Sequence, residues 1–160
     1  MDKATFGAGC FWGVEAAFQD LNGVLETAVG YSGGPTDSPN YQEVCTGTTG
    51  HAEVLQIQFD PERISYEQLL EVFWNCHDPT TPNRQGPDIG SQYRSAIFFH
   101  SPQQEELALQ ARQRLETNGK FDRPVVTQIE AAGPFWRAEE YHQRYFEKNG
   151  LKSCHSPGTG

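Results

Sequence analysis

Apolar residues recur with two different periods along the chain, and each period predicts one type of secondary structure. Spacings of three and four residues, which predict helices, follow Cys10, run from Tyr66 to His77 and resume after Ser101-Pro102. Strict alternation, which predicts a strand with two distinct faces, is clearest in HAEVLQIQFD at residues 51–60. In chain order, the pattern predicts the elements β-α-β-β-α-β-α-β-α.

Turn-forming residues and short apolar runs set the predicted boundaries of these elements. The Gly- and Pro-rich stretches at residues 32–40 and 80–92 are predicted to be loops. The last predicted strand is VVTQIE at residues 125–130. A final helix is predicted over roughly Ala138 to Lys148, followed by a flexible tail with the sequence LKSCHSPGTG.

The alternation of helices with hairpin-like strand pairs predicts an α+β fold. Helices packed on one antiparallel or mixed sheet would form a two-layer α/β sandwich with a ferredoxin-like core. A chain of 160 residues with 36% hydrophobic content can bury one substantial core. Since neither a repeat nor a linker interrupts the pattern, we expect a single domain over residues 1–160, with its flexible tail at 150–160.

The charge of the chain narrows the classes of partner. The net charge of −9 and the pI near 4.9 would repel polyanions, and no cluster of lysines and arginines provides a local phosphate site. We therefore expect no nucleic acid partner. Apolar runs are only a few residues long, far short of the roughly 20 that span a bilayer, and no signal core follows Met1. We expect no membrane association and a cytoplasmic location.

Cys10, in GAGCFWGVEAAF at residues 7–18, is the first candidate for chemistry. Its sulfur would lie at the positive end of the following helix dipole, which favours the thiolate over the thiol. The alternative is a small core residue. Trp12 lies off the apolar stripe of the helix, so that its ring could wall a pocket beside the thiol. Phe11 lies on that stripe and fits ordinary core packing equally well.

Glu53 is the second candidate, because it shares a strand face with Leu55, Ile57 and Phe59. Burying a carboxylate is costly unless the group is paired or protonated. One explanation is a structural ion pair with His51 or an arginine. The other is a carboxylic acid that burial keeps neutral, so that it can donate a proton to a substrate. A thiolate and a proton donor together suit attack on an atom whose oxygen must leave or be neutralised.

The other three cysteines lie in different settings. Cys76 lies on an apolar helical stripe and is predicted to be core, and Cys45, in YQEVCTG, is also predicted to be buried. Cys154 lies in the predicted tail, where it is either incidental or a mobile thiol that could form a disulfide with a sulfenic acid. The chain lacks a C-x-x-C pair, and its adjacent Cys-His pairs have the wrong spacing for zinc. We expect neither a metal nor another cofactor.

Five segments resemble, in chain order, the A-type peptide methionine sulfoxide reductases. They are GCFWG at residues 9–13, GYSGG at 30–34, YQEVCTGTTGHAE at 41–53, HDPT at 77–80 and RQGPDIGSQYRSAIF at 84–98. The likeness covers most of the chain, and coordinated motifs are far more specific than any one alone. The resemblance implies a catalytic domain that reduces methionine-S-sulfoxide, free or in oxidised proteins and peptides, with thioredoxin as the reductant.

The same resemblance implies a role for three residues in the reaction itself. Cys10 would attack the sulfoxide sulfur, and Glu53 would protonate the sulfoxide oxygen. Methionine would then leave, and Cys10 would remain as a sulfenic acid. Cys154 would resolve this sulfenic acid as a disulfide, which thioredoxin would reduce.

Five further residues would bind the substrate by this resemblance. Phe11 and Trp12 would hold the S-methyl group, while the hydroxyls of Tyr41 and Tyr93 would bind the oxygen with support from Asp88. We expect the enzyme to act as a monomer. Two other classes stay open at this point, namely a thiol protein that reduces peroxides and a binding module that recognises oxidised methionine without turnover.

Overall fold

The computed structural model describes residues 2–119 and 121–145 of the chain. Its strands are β1 (Asp2–Ala8), β2 (Val24–Ser32), β3 (Ala52–Phe59), β4 (Arg84–Gln85), β5 (Asp88–Ile89), β6 (Ser95–Phe99), β7 (Gln128–Ala131) and β8 (Trp136–Arg137). Six of them form one sheet in the order β7-β6-β1-β3-β2-β8, while β4 and β5 pair separately. Neighbours in the large sheet are antiparallel, except that β6 and β7 are parallel.

Strands and helices alternate from β1 to the helix after β3, whereas β4 and β5, and likewise β7 and β8, follow one another without a helix between them. The α-helices are α1 (Phe11–Phe18), α2 (Tyr41–Cys45), α3 (Tyr66–Asn75) and α4 (Pro102–Thr117), and 3-10 turns lie at Ser91–Tyr93 and Glu140–His142. The units β1-α1-β2 and β3-α3-β6 interleave in the sheet order β6-β1-β3-β2, which is the arrangement of a split βαβ fold. The predicted α+β class and the mixed sheet are confirmed.

The main core lies between the sheet and the helices. Phe6 of β1 stacks on Phe18 of α1 with ring centroids 5.6 Å apart, and it contacts Phe73 of α3 at 5.0 Å. Leu69 of α3 and Ala108 of α4 are fully buried in the same cluster. This packing fixes α1 against β1, so the turn between them is held in place.

Local capping explains why the helices begin where they do. The Ser101 side chain accepts a hydrogen bond from the backbone N–H of Gln104, and Pro102 occupies the first turn, as predicted. Asn40 and Glu43 form a reciprocal capping box at the start of α2. This short helix lies in a segment for which the sequence pattern predicts no element.

Two predicted elements differ from the structure near the C-terminus. The last predicted strand begins at Gln128 rather than at residue 125. The α-helix predicted from Ala138 is wrong over residues 138–144, where only a 3-10 turn forms, because β8 pairs with β2 just before them and the Ala138 N–H donates to the Val29 carbonyl at 2.9 Å. The rest of the predicted helix, residues 146–148, and the predicted tail at 150–160 lie outside the described residues. None of the helices in the described part of the chain is both long and apolar enough to cross a membrane.

Candidate active site

Cys10 lies at the junction of β1 and α1, where the sequence places it. Gly9 has a φ of 95°, a left-handed conformation that glycine adopts without strain. Cys10 is the N-cap residue of α1 and is half-buried. The chain therefore turns sharply at Gly9 and presents the Cys10 thiol at the start of the helix.

Glu53 lies directly beside this turn. Its side chain is 1% exposed, and its Oε1 accepts a hydrogen bond from the Phe11 backbone N–H at 3.3 Å. Its Oε2 is buried and has no hydrogen-bond partner among the described residues. The carboxyl group is thus fixed to the residue that follows Cys10, with one oxygen left for a further partner.

The structural ion pair considered for Glu53 is absent from the described part of the chain. The two ion pairs found there join Arg123 to Asp78 and Arg137 to Glu140. The ring of His51 is used elsewhere, since its Nδ1 accepts from the Gly34 N–H at 3.0 Å and its Nε2 bonds to a backbone carbonyl. The explanation that keeps Glu53 neutral remains.

The pKa of Glu53 fits this explanation. This pKa is raised from 4.5 to about 8, mainly by burial and to a smaller extent by the nearby charge of Asp88, and this value includes the lowering effect of the hydrogen bond from the Phe11 N–H. At neutral pH the carboxyl group therefore holds its proton. Because Oε1 accepts from Phe11, the unpartnered Oε2 is the oxygen available to carry that proton toward a substrate.

The predicted thiolate at Cys10 is wrong for this site without substrate. The pKa of Cys10 is raised from 9.0 to about 12, mainly by burial and also by the negative charges that Glu53 and Asp88 carry when ionised. The backbone N–H groups of Trp12 and Gly13 lower the pKa, as expected at a helix N-terminus. The effect of burial outweighs the effect of these two N–H groups. The sequence pattern does not reveal how deeply the thiol is buried.

Aromatic rings form a wall beside Cys10. Phe11 is 1% exposed, and its ring centroid lies 6.3 Å from that of Tyr41 and 5.2 Å from that of His142. Trp12 is half-buried, off the buried stripe of α1 as predicted, and its ring stacks on Tyr145 with centroids 3.9 Å apart and planes 10° apart. Phe11 thus belongs both to the core and to the wall, so the two uses considered for it coexist.

Tyr41, Asp88 and Tyr93 are brought to the same place from separate elements. Tyr41 begins α2, Asp88 lies in β5 and Tyr93 ends the 3-10 turn. Burial raises the pKa of Tyr41 and Tyr93, and the charge of Glu53 raises both further. The charges of Asp88 and Cys10 also raise the pKa of Tyr93. Both phenol hydroxyls therefore lie within electrostatic reach of Glu53 and remain protonated donors.

His142, which the sequence pattern does not single out, completes the wall. It is fully buried, and its Nδ1 accepts a hydrogen bond from the Trp12 indole N–H at 2.9 Å. Since an indole N–H can only donate, the imidazole is neutral with its proton on Nε2, and burial lowers its pKa accordingly. The aromatic rings of Tyr141, His142 and Tyr145 lie close together in the sequence and could have indicated a part of the site. The helix predicted over this segment gave no reason to place them there.

The other cysteines are placed by their elements. Cys76 caps α3 and is buried, as predicted. Cys45 is exposed, so the prediction that it is buried is wrong, because Val44 takes the buried position of the short helix α2. Burial raises the pKa of Cys45, and the neighbouring Tyr41 side chain lowers it. Cys154 lies outside the described residues.

A metal centre has no support in the described part of the chain. Among residues 2–119 and 121–145, no group of three histidine, cysteine, aspartate or glutamate side chains could hold an ion. The chemical groups gathered at the site are instead a thiol, a neutral carboxyl group, two phenol hydroxyls and a wall of rings. Such a set can deliver a nucleophile and a proton to opposite ends of one polar bond.

The chain matches known proteins along almost its whole length. A family model described as peptide methionine sulfoxide reductase matches residues 2–159. A peptide methionine sulfoxide reductase MsrA from Methanoculleus marisnigri is 62% identical over 154 residues, which are 96% of this chain and 94% of the relative.

Solved structures of similar sequence have the same fold. Mxr1 from Saccharomyces cerevisiae in its reduced form superposes with a TM-score of 0.86 at 38% identity, covering 99% of this chain and 90% of that one. Mxr1 in complex with Trx2 superposes with a TM-score of 0.61 at 26% identity, covering 90% of this chain and 84% of that one.

Proposed function

Because the chain belongs to the peptide methionine sulfoxide reductase family, we propose that it reduces methionine-S-sulfoxide, free or in peptides and proteins, to methionine. One observation carries this proposal at the level of the site. The buried carboxyl group of Glu53 keeps its proton at neutral pH and is hydrogen-bonded to the residue next to the Cys10 thiol.

The reaction begins when Cys10 attacks the sulfoxide sulfur. A sulfoxide sulfur is a poor electrophile until its oxygen is protonated or hydrogen-bonded. Glu53 Oε2 gives its proton to that oxygen, and the proton lost by the Cys10 thiol restores the neutral carboxyl group. The oxygen passes from the substrate sulfur to Cys10 Sγ, so that methionine is released and Cys10 is oxidised to a sulfenic acid. Two electrons move from the thiol to the substrate, and no net proton is consumed.

The surrounding side chains hold the substrate in one orientation. Phe11 and Trp12 provide the apolar face for the S-methyl group, and the hydroxyls of Tyr41 and Tyr93 donate hydrogen bonds to the oxygen, while Asp88 supports them. Methyl, oxygen and the rest of the substrate thus occupy different sides of the sulfur. This arrangement accepts one epimer, which we assign as the S form.

Recycling of the sulfenic acid requires a second thiol. Cys154 attacks the Cys10 sulfenic acid and expels water, which leaves a Cys10–Cys154 disulfide. A thioredoxin dithiol then reduces this disulfide by exchange. The complex of Mxr1 with Trx2 supports a thioredoxin as the partner.

The test is epimer-resolved turnover with a small dithiol as reductant. A peptide that contains both sulfoxide epimers is incubated with the protein and dithiothreitol, and the epimers are separated by chromatography. We expect loss of the S epimer alone, and no loss with Cys10→Ser. Equal loss of both epimers, or of neither, would overturn the proposal, and binding without turnover would instead indicate a recognition module.

A further inference from the structure

Glu15 carries a buried carboxyl group that the proposed reaction does not use. It lies on α1 one turn after Trp12, and its side chain is 1% exposed. Its Oε2 accepts a hydrogen bond from the Thr27 hydroxyl at 2.8 Å, and its Oε1 accepts one from the backbone N–H of Arg144. The first bond stays within the unit of α1 and β2, whereas the second reaches the segment that follows β8.

That segment is anchored at the neighbouring residue as well. The buried carboxamide of Gln143 accepts from the Val29 N–H at 2.8 Å and donates to the carbonyls of Val29 and Ala138, each at 2.9 Å. It thereby makes the pair of hydrogen bonds to Val29 that a residue of an adjacent strand would make. Gln143 extends the edge of the sheet past β8, and Glu15 holds the next residue along the chain.

The backbone of Arg144 has an unfavourable conformation that contacts with its surroundings must stabilise. Its φ is 53°, in the left-handed region that residues other than glycine seldom occupy. An unfavourable conformation of this kind persists where the surroundings over-determine it, and it is most frequent beside functional sites. The Glu15 carboxyl group bonds to the N–H of this very residue.

The two anchors lie between the residues that cover Trp12. His142 precedes them and accepts the Trp12 indole N–H at 2.9 Å. Tyr145 follows them and stacks on the Trp12 ring, with centroids 3.9 Å apart. The position of both rings against Trp12 therefore depends on where the backbone of residues 143–144 is held.

We infer that Glu15 is a positioning residue for the wall that receives the S-methyl group. Through the Arg144 N–H it holds Tyr145 against Trp12, from the same helix that carries Cys10 and Trp12. This role presupposes the proposed function, since it concerns the binding of the sulfoxide by that wall. Glu15 itself contacts no reacting atom, so its loss weakens substrate binding rather than the chemical step.

Steady-state kinetics of Glu15→Ala with an oxidised methionine peptide test this role. We expect KM to rise about tenfold with kcat within about twofold, because uniform binding is lost and the transition-state contacts remain. Glu15→Gln retains an oxygen that can accept from Arg144 and should keep KM within about twofold. Thr27→Val, the matched control, removes the hydrogen bond from the Thr27 hydroxyl to Glu15 and should leave KM unchanged. If the alanine variant does not fold, Glu15→Leu fills the space without an acceptor.

A double-mutant cycle then shows whether Glu15 acts through Tyr145. If it does, the KM of Glu15→Ala with Tyr145→Ala should equal that of Tyr145→Ala alone, because residues coupled through a shared backbone segment are not additive. An unchanged KM in Glu15→Ala with a lowered melting temperature, or effects on KM that multiply in full, would overturn the inference. If the unmodified protein fails to reduce the peptide, the proposed function fails instead.

Discussion

At the residue scale, the central feature is a carboxyl group whose burial turns it from a base into an acid. Glu53 replaces the water it loses with one hydrogen bond from the Phe11 N–H, and its second oxygen has no partner among the described residues. A lone hydrogen bond does not compensate a buried charge, so the group keeps its proton. The energetic cost of placing a carboxyl group there is what makes it a proton donor.

Replacing that donor should slow the reduction step. Glu53→Gln retains the size of the side chain and an oxygen that can accept from Phe11, but an amide cannot act as the acid. We expect the rate of methionine formation in a single turnover to fall roughly 10²–10⁴-fold, the range of general acid catalysis. Rapid-quench measurement with substrate in excess provides the rate. A loss smaller than about threefold would mean that the carboxyl group is structural.

At the element scale, the site depends on close backbone contact between two loops. A Cβ atom on Gly34 would lie 2.5 Å from backbone atoms of Thr49, Gly50 and His51. These three residues come just before β3, the strand that carries Glu53. None of these backbone atoms can move aside as a flexible side chain would. This explains in physical terms the glycine at the end of the GYSGG segment.

Gly34→Ala should therefore destabilise the protein by about 1–3 kcal/mol through overpacking. Gly133→Ala is the matched control, because a Cβ there meets nothing within 4 Å, and it should change the free energy of unfolding by less than about 0.5 kcal/mol. Urea denaturation of both variants provides the comparison. Equal stability of the two would contradict the account of the loop contact.

The elements also show what the sequence can and cannot predict. Helix α4 was predicted from Ser101-Pro102 because a cap is a local signal, and Glu53 stood out because alternation within one strand assigns it a face. The segment after Ala138 was mispredicted because its structure is set by β2, more than a hundred residues away in the sequence. His142 was missed with it. The expectation that the helix N-terminus favours a Cys10 thiolate is wrong for a related reason, since the burial that opposes ionisation depends on the whole fold.

At the scale of the whole molecule, the pKa of Glu53 links the site to folding stability. An unfolded glutamate ionises near 4.5, whereas the folded protein keeps the Glu53 proton up to about 8. Below the lower value both states are protonated and the folded state carries no penalty from this group. As pH rises through this window the unfolded state is favoured by up to about 1.4 kcal/mol per pH unit.

Glu53→Gln should remove this dependence. The free energy of unfolding of the variant, minus that of the unmodified protein, should increase by a few kcal/mol as the pH rises from about 5 to about 8. Urea denaturation of both proteins at the two pH values measures the difference. A difference in unfolding free energy that stays constant with pH would show that Glu53 ionises alike in both states.

The proposed recycling is also a property of the whole chain, since it would join Cys10 to Cys154, 144 positions further along the sequence. Cys154→Ser should still release methionine in a single turnover but lose turnover with thioredoxin, because the Cys10 sulfenic acid lacks its partner. Cys76→Ala, a buried thiol outside the site, should retain both activities. Mass spectrometry after one equivalent of substrate should find the Cys10–Cys154 disulfide. Undiminished thioredoxin cycling in Cys154→Ser would assign resolution to another thiol or to direct reduction.

The most direct test of the central claim is to titrate Glu53 itself. Carbon NMR of protein labelled at its glutamate carboxyl groups follows each ionisation, and the signal absent from Glu53→Gln identifies Glu53. We predict a midpoint near 8, with the neutral acid present at pH 7. A midpoint close to 4.5, the ordinary value for a glutamate, would mean that Glu53 is a carboxylate at neutral pH and cannot donate the proton.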